Sequence, residues 1–188
     1  MRKVVKEHDD TSLREVTRLL RSKFHEERLA ALLILVLKYR GADDNSKKKI
    51  FQLYIKNTGY INNWDLVDIS AYHIVGAYLE NRPKRLLYKL ARSKLLWDRR
   101  IAILSTCCYI KKNKFSETLT ISKILLCDKE DLIHKAVGWM LREVGKRDLS
   151  CEEKFLKKHY RSMPRTMLRY AIEKFPESKR ESYMKGYA

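Results

Sequence analysis

Trp64 and Asp68 stand one helical turn apart in NNWDLVDISAYHIVGAYL, residues 62–79, pairing an electron-rich ring with a fixed negative charge. Leu66, Val67, Ser70, Ala71, Ile74 and Val75 take the core spacing of this segment, which leaves Trp64 and Asp68 together at its edge. A carboxylate beside an aromatic face suits the stabilisation of positive charge on a ligand or a transition state. The same spacing also fits a tryptophan packed on the preceding loop and an aspartate serving the helix dipole. Downstream, SKLLWDRRIAIL at 93–104 sets Trp97, Ile101, Leu104 and Cys108 in a core stripe and directs Arg99 and Arg100 elsewhere. Arg100 is suited to gripping a phosphate with both arms, and equally to a surface salt bridge. In LIHKAVGWMLREVGK, residues 132–146, Lys135, Trp139 and Arg142 share a face away from Ile133, Val137, Met140 and Val144. A tryptophan between two cations serves either a ligand or internal cation–π packing.

Elements must bring these scattered groups together, and the composition says which kind. Hydrophobic residues make up 45% and charged residues 34% of the 188-residue chain, with six glycines and three prolines, the balance of a helix-rich globular protein. Ser12 and Glu15 have capping-box spacing ahead of Leu13, Val16 and Leu20. Leu29 to Leu37 reads as an apolar helix, and Ser46 as the cap of a helix carrying Ile50, Phe51 and Tyr54. One helix is expected from Trp64 to about Leu79, another from Trp97 to about Ile110, and another from Asp131 to Val144, ended by Gly145. Ser150 and Glu153 form a second capping-box pattern, and Pro164 starts a helix that Pro176 stops.

The helices pair, and the second members share a local pattern: RLAAL at 28–32, DISAY at 68–72, RIAIL at 100–104 and KAVGW at 135–139. Each hairpin alone cannot bury its apolar side, so the fold class is all-α: an α-α superhelix, or solenoid, of HEAT-like repeats extending over 1–188 as one domain. Arg28, Asp68, Arg100 and Lys135 would then face a common concave, basic groove. Asp68 is the lone acid among them.

Lysine and arginine number 41 against 23 aspartates and glutamates, a net charge of +18 that favours a polyanionic partner, nucleic acid foremost, or simply a highly soluble protein. Basic and acidic residues alternate along nearly every helix, unlike a membrane-surface helix. No apolar leader opens the sequence and no segment reaches membrane-spanning length, so a cytoplasmic location is expected. Cys107, Cys108, Cys127 and Cys151 lack zinc or redox spacing and read as reduced core residues. No phosphate loop, dinucleotide fingerprint or metal-ligand pattern is present, so neither a cofactor nor a metal is expected.

INNWDLVD at 61–68, LWDRRIAIL at 96–104, HKAVGWMLREVGKRD at 134–148 and MPRTMLRYAIEKFP at 163–176 together resemble the AlkD-like DNA alkylation repair proteins, alkylpurine DNA glycosylases built from HEAT-like repeats. The motifs follow the family's order and approximate spacing over nearly the whole chain. The resemblance implies that Trp64 and Asp68 match the family's active-site tryptophan and aspartate, Arg100 its arginine and Trp139 its second groove tryptophan. It implies hydrolysis of the N-glycosidic bond of cationic alkylated purines such as 3-methyladenine and 7-methylguanine in double-stranded DNA, by a monomer needing only water. Arg28, Arg99, Lys135 and Arg142 are the expected DNA contacts. The family usually carries more helix ahead of MRKVVKEHDD, so part of its grip on DNA is expected to be shortened or absent. A non-catalytic helical-repeat module, binding DNA structures or a protein, is the competing expectation.

Overall fold

The computed structural model describes residues 10–187. The MRKVVKEHD segment, on which the expectation of a shortened grip on DNA falls, lies outside them. Among the described residues there are helices, turns and loops, and no strands.

Helices α1 (Leu13–Leu20) and α2 (His25–Gly41) form the first hairpin, and α3 (Asp44–Lys56) and α4 (Trp64–Asp68) the second. The third joins α5 (Arg85–Leu90) to α6 (Leu96–Ser105), which continues into α7 (Cys107–Ile110). The fourth joins α8 (Ser116–Ile124) to α9 (Asp131–Gly145), and α10 (Leu149–His159), α11 (Arg165–Ala171) and α12 (Glu177–Lys185) complete the chain. The second members stack in order, α2 on α4, α4 on α6, α6 on α9 and α9 on α11, so that one row of inner helices runs through the molecule. This is the all-α superhelix of paired helices expected from the sequence.

Burial explains why the row forms. Ala31, Leu32, Ile34, Leu35, Val36 and Tyr39 bury most of the circumference of α2, as its apolar run requires. A single hydrophobic cluster then continues through Leu66, Ile74, Ile101, Ile103, Val137, Met140 and Leu168 to Tyr183. Tyr54 on α3 and Ser70 just after α4 share a buried 2.9 Å hydrogen bond, which fixes the outer helix against the inner one beside Asp68.

Several local expectations change. The segment after Trp64 is not one regular helix, because α4 ends at Asp68 and the chain passes through a π-helical turn at Tyr72–Gly76 before a last turn at Ala77–Leu79. Gly76 explains the tight fit there, since a Cβ would lie 2.3 Å from the Ser105 carbonyl oxygen of α6. α9 ends at Gly145 as expected, but not through a left-handed cap, and a Cβ there would collide with the Glu152 side chain. Ser12 caps α1 as expected, but Asp43 rather than Ser46 caps α3, and Asp148 rather than Ser150 caps α10; each aspartate accepts from the amide three residues on. All four cysteines are free, and Cys127 is exposed rather than in the core.

Candidate functional site

Counting from the first residue of each inner helix, the fifth position is Leu29 in α2, Asp68 in α4, Arg100 in α6, Lys135 in α9 and Arg169 in α11. Equivalent positions on stacked, parallel helices fall in a line, which brings residues 32 or more apart in sequence into contact. Asp68 and Arg100 meet in this way. Arg100 donates from Nε to Asp68 Oδ1 at 2.9 Å and from Nη2 to Oδ2 at 2.8 Å, a two-pronged ion pair, and from Nη1 to the Leu132 carbonyl at 2.5 Å. The arginine side chain is 5% exposed and the aspartate 16%.

Beside this pair opens a cleft of about 300 Å³ lined by Trp64, Arg100, Leu132, Lys135, Trp139, Arg142 and Tyr170. Asp68 is not a lining residue and joins the cleft through Arg100. Trp64, the first residue of α4, is 53% exposed, so it does not pack into the preceding loop. Trp139 is half-buried and donates from its indole nitrogen to Glu143 at 3.2 Å. Lys135 pairs with Asp131 one turn back at 2.7 Å and keeps 40% exposure. Arg142 is bound by Glu173 of the 3-10 turn after α11, and its Nε has no hydrogen-bond partner.

The structure thus brings together Trp64, Asp68, Arg100, Lys135, Trp139 and Arg142. Each nitrogen of the Arg100 guanidinium already donates within the protein, so its task is to hold Asp68 rather than to grip a phosphate freely. Arg28 and Arg99 are placed differently. Arg28 falls one position short of the line, where Leu29 stands, and its Nη1 donates to the Ser22 and Lys23 carbonyls at 2.9 and 3.1 Å. Arg99 makes the same bonds to Ser93 and Lys94, both at 3.0 Å, and grips Asp128 at 2.6 Å. Arg28 therefore corresponds to Arg99, not to Arg100, and both brace loops instead of offering free cations.

Tyr170 and Leu132 are cleft residues that sequence reasoning missed. Tyr170 had one available signal in Gly138, a glycine inside α9 next to Trp139. A Cβ on Gly138 would lie 2.4 Å from the Met167 carbonyl oxygen and 2.5 Å from Tyr170 Cβ, so the missing side chain lets α11 bring Tyr170 against the cleft. A second carboxylate, Asp65, is held by His25 of α2 at 2.7 Å and ties the first inner helix to the second. No group of three or more His, Cys, Asp or Glu placed to hold a metal ion occurs among the described residues. No helix among them is long and apolar enough to cross a membrane.

Known proteins match this row of stacked inner helices. The family of DNA alkylation repair enzymes matches residues 1–175, and the chain belongs to that family. Among solved structures it is similar to a predicted DNA alkylation repair enzyme from Enterococcus faecalis, with a TM-score of 0.69 and 15% identity over 93% of this chain and 82% of that one. That likeness is one of fold. A comparison with curated proteins finds no match.

Proposed function

We propose that this chain is a DNA glycosylase that hydrolyses the N-glycosidic bond of cationic alkylated purines, such as 3-methyladenine and 7-methylguanine, in duplex DNA. The observation that carries the proposal is the Asp68 carboxylate, fixed through both oxygens by Arg100 beside a cleft with a tryptophan on each of two inner helices.

Alkylation leaves the purine positively charged, so when the bond from the sugar C1′ to the base nitrogen breaks, the bonding pair neutralises the departing base. Little leaving-group protonation is required, and the positive charge moves to the deoxyribose. A carboxylate held close to that sugar stabilises the oxocarbenium-like transition state, and in a site shielded from water such an interaction contributes about 3 kcal/mol. Two-pronged pairing leaves Asp68 with unused lone pairs, which orient the attacking water and receive its proton. Arg100 holds the carboxylate still and, by partly neutralising it, keeps its desolvation tolerable. Trp64 and Trp139 present electron-rich faces to the same developing charge. On this reading the damaged base need not be enclosed in a flipping pocket. Lys135 is the cleft cation best placed for a phosphate, because its partner Asp131 is itself 56% exposed and the pair is an ordinary surface one.

Incubating the chain with a methylated duplex and measuring free methylated base tests the proposal. Release in the wild type, lost in Asp68→Asn, is expected; unchanged release by Asp68→Asn removes the catalytic role. The pairing of both Asp68 oxygens by Arg100 favours a second reading, a non-catalytic module for DNA structures, and tight duplex binding without release would select it.

A further inference from the structure

The edge of the stack at which each hairpin turns into its inner helix carries a feature that base release does not use. Two of these turns repeat one another: Arg21-Ser22-Lys23-Phe24 ahead of α2 and Arg92-Ser93-Lys94-Leu95 ahead of α6. In each, the serine hydroxyl accepts from the amide two residues on, at 3.1 Å from Phe24 and 3.2 Å from Leu95. In each, an arginine of the following helix, Arg28 or Arg99, reaches back to the carbonyls of the serine and the lysine. The outcome is the same twice. Carbonyl oxygens are drawn onto a guanidinium, while the lysine and the apolar side chain are left outside. Phe24 and Leu95 are both 54% exposed. Lys23 lies 5.1 Å over the Phe24 ring, and the Lys94 ammonium, unlike its carbonyl, takes no part in the brace. An apolar side chain held half in water by a braced backbone contributes little to the core, and its interest lies in the repetition of the arrangement along one edge.

Trp64, the first residue of α4, lies between these turns in the order of the stack, at 53% exposure, and Tyr60, in the turn ahead of α4, is 42% exposed under Arg21. Of the seven exposed large hydrophobic residues in the described chain, Phe24, Tyr60, Trp64 and Leu95 fall on this edge. The next turn, Cys127 to Glu130, carries no such residue, and its Asp128 is held by Arg99. The pattern is therefore centred on Trp64.

We propose that the two braced turns are a pair of clamps for duplex DNA, each setting its lysine on a phosphate and its apolar side chain against the adjoining deoxyribose, on either side of the nucleotide presented to Trp64. This rests on the reading of the chain as a DNA-binding enzyme and adds a footprint to it. Charge decides the partner: each exposed apolar group comes with flanking cations, on a chain of net charge +18. Inner helices stacked about 10 Å apart put the two turns about 20 Å from one another. At about 3.4 Å per base pair this spans about six pairs, so the damaged nucleotide lies about three pairs from each clamp.

The test is binding of the full chain to an undamaged duplex of about two helical turns, followed by fluorescence anisotropy across a salt series. Relative to wild type, Lys23→Ala/Lys94→Ala is expected to lower the slope of log affinity against log salt by about 1.8, roughly 0.9 for each phosphate no longer neutralised. Phe24→Ala/Leu95→Ala is expected to weaken binding with the slope unchanged, and both variants should melt with the wild type because the altered side chains are exposed. Shortening the duplex on either side of a methylated base to fewer than about three pairs should slow its release by the wild type and not by the double lysine variant. An unchanged slope in the lysine variant, or a wild type that binds anionic lipid vesicles and not duplex, overturns the clamps. The outcome is separable from that for the glycosylase reading: a lowered slope without base release upholds the clamps alone, and base release with an unchanged slope rejects them alone.

Discussion

Arg99 and Arg100 are neighbours on α6, and each holds an aspartate with a two-pronged grip. Arg99 pairs with Asp128 at 2.6 and 3.3 Å, with side-chain exposures of 15% and 6%. Arg100 pairs with Asp68 at 2.9 and 2.8 Å, with exposures of 5% and 16%. Pair geometry and burial do not separate them. Their surroundings do: Arg99 also binds the carbonyls of its own loop and belongs to the edge of the stack, whereas Arg100 lines a cleft between Trp64 and Trp139. A buried ion pair is weak evidence for function by itself, and the open aromatic cleft beside one of these two is what distinguishes it.

The two aspartates should part most widely when each loses its charge. Asp68→Asn is expected to lower release of 7-methylguanine about 100-fold or more while duplex affinity stays near wild type, because it removes charge that matters only in the transition state. Equal loss in binding would mean that Asp68 holds DNA instead. Asp128→Asn should leave base release per folded molecule intact while lowering the melting temperature by about 6 to 12 °C, a loss that Asp68→Asn shares because its arginine is as deeply buried, since unpairing a buried charge costs about 3 kcal/mol. If thermal melting barely moved, the Arg99 pair would not be a structural brace. Arg100→Lys keeps the charge and loses the fork, so release should fall about tenfold with Asp68 less firmly held.

Smaller effects are expected at the rim of the cleft and beyond it. Lys135→Ala should reduce the salt slope of duplex binding by about 0.9 and leave the chemical step unchanged, and a single-turnover measurement at saturating protein checks the second part. Glu152 provides a control outside the lining of the cleft. Burial raises its carboxyl from 4.5 to about 8, with Glu153 adding to the shift, and one carboxyl oxygen has no hydrogen-bond partner. The folded chain therefore keeps a proton that the unfolded chain releases between about pH 4.5 and 8, so this residue's contribution to stability is full below that window and is lost as pH rises through it. Glu152→Gln should remove that decline, and melting temperatures of both forms at pH 5 and pH 8.5 would show whether it does.

Much of the fold is legible in the sequence because helical pairing leaves a periodic trace, and the Asp68–Arg100–Lys135 line is legible for the same reason. Charge and a shared local pattern align Arg28 with them, and only the hydrogen bonds to Ser22 and Lys23, mirrored at Ser93 and Lys94, show that its counterpart is Arg99. Ser46 and Ser150 do not cap their helices because an aspartate a few residues earlier competes for the same amides. Tyr170 stays hidden because its position depends on how closely α11 approaches Gly138, a long-range fact with a short-range clue. What escapes is tertiary geometry.

The wide turn at Tyr72–Gly76 sits directly behind the helix that carries Trp64 and Asp68. A surplus residue inside a helix offsets everything beyond it by about 100° of azimuth, given about 3.6 residues per ordinary turn. Excising one residue from this turn would therefore leave Trp64 and Asp68 pointing as they do and swing Ala77 to Leu79 to a new heading, whereas the same excision between Trp64 and Asp68 would pull the ring and the carboxylate out of alignment. The chain thus keeps a built-in dial between the half of the segment that meets the ligand and the half that locks into its neighbours.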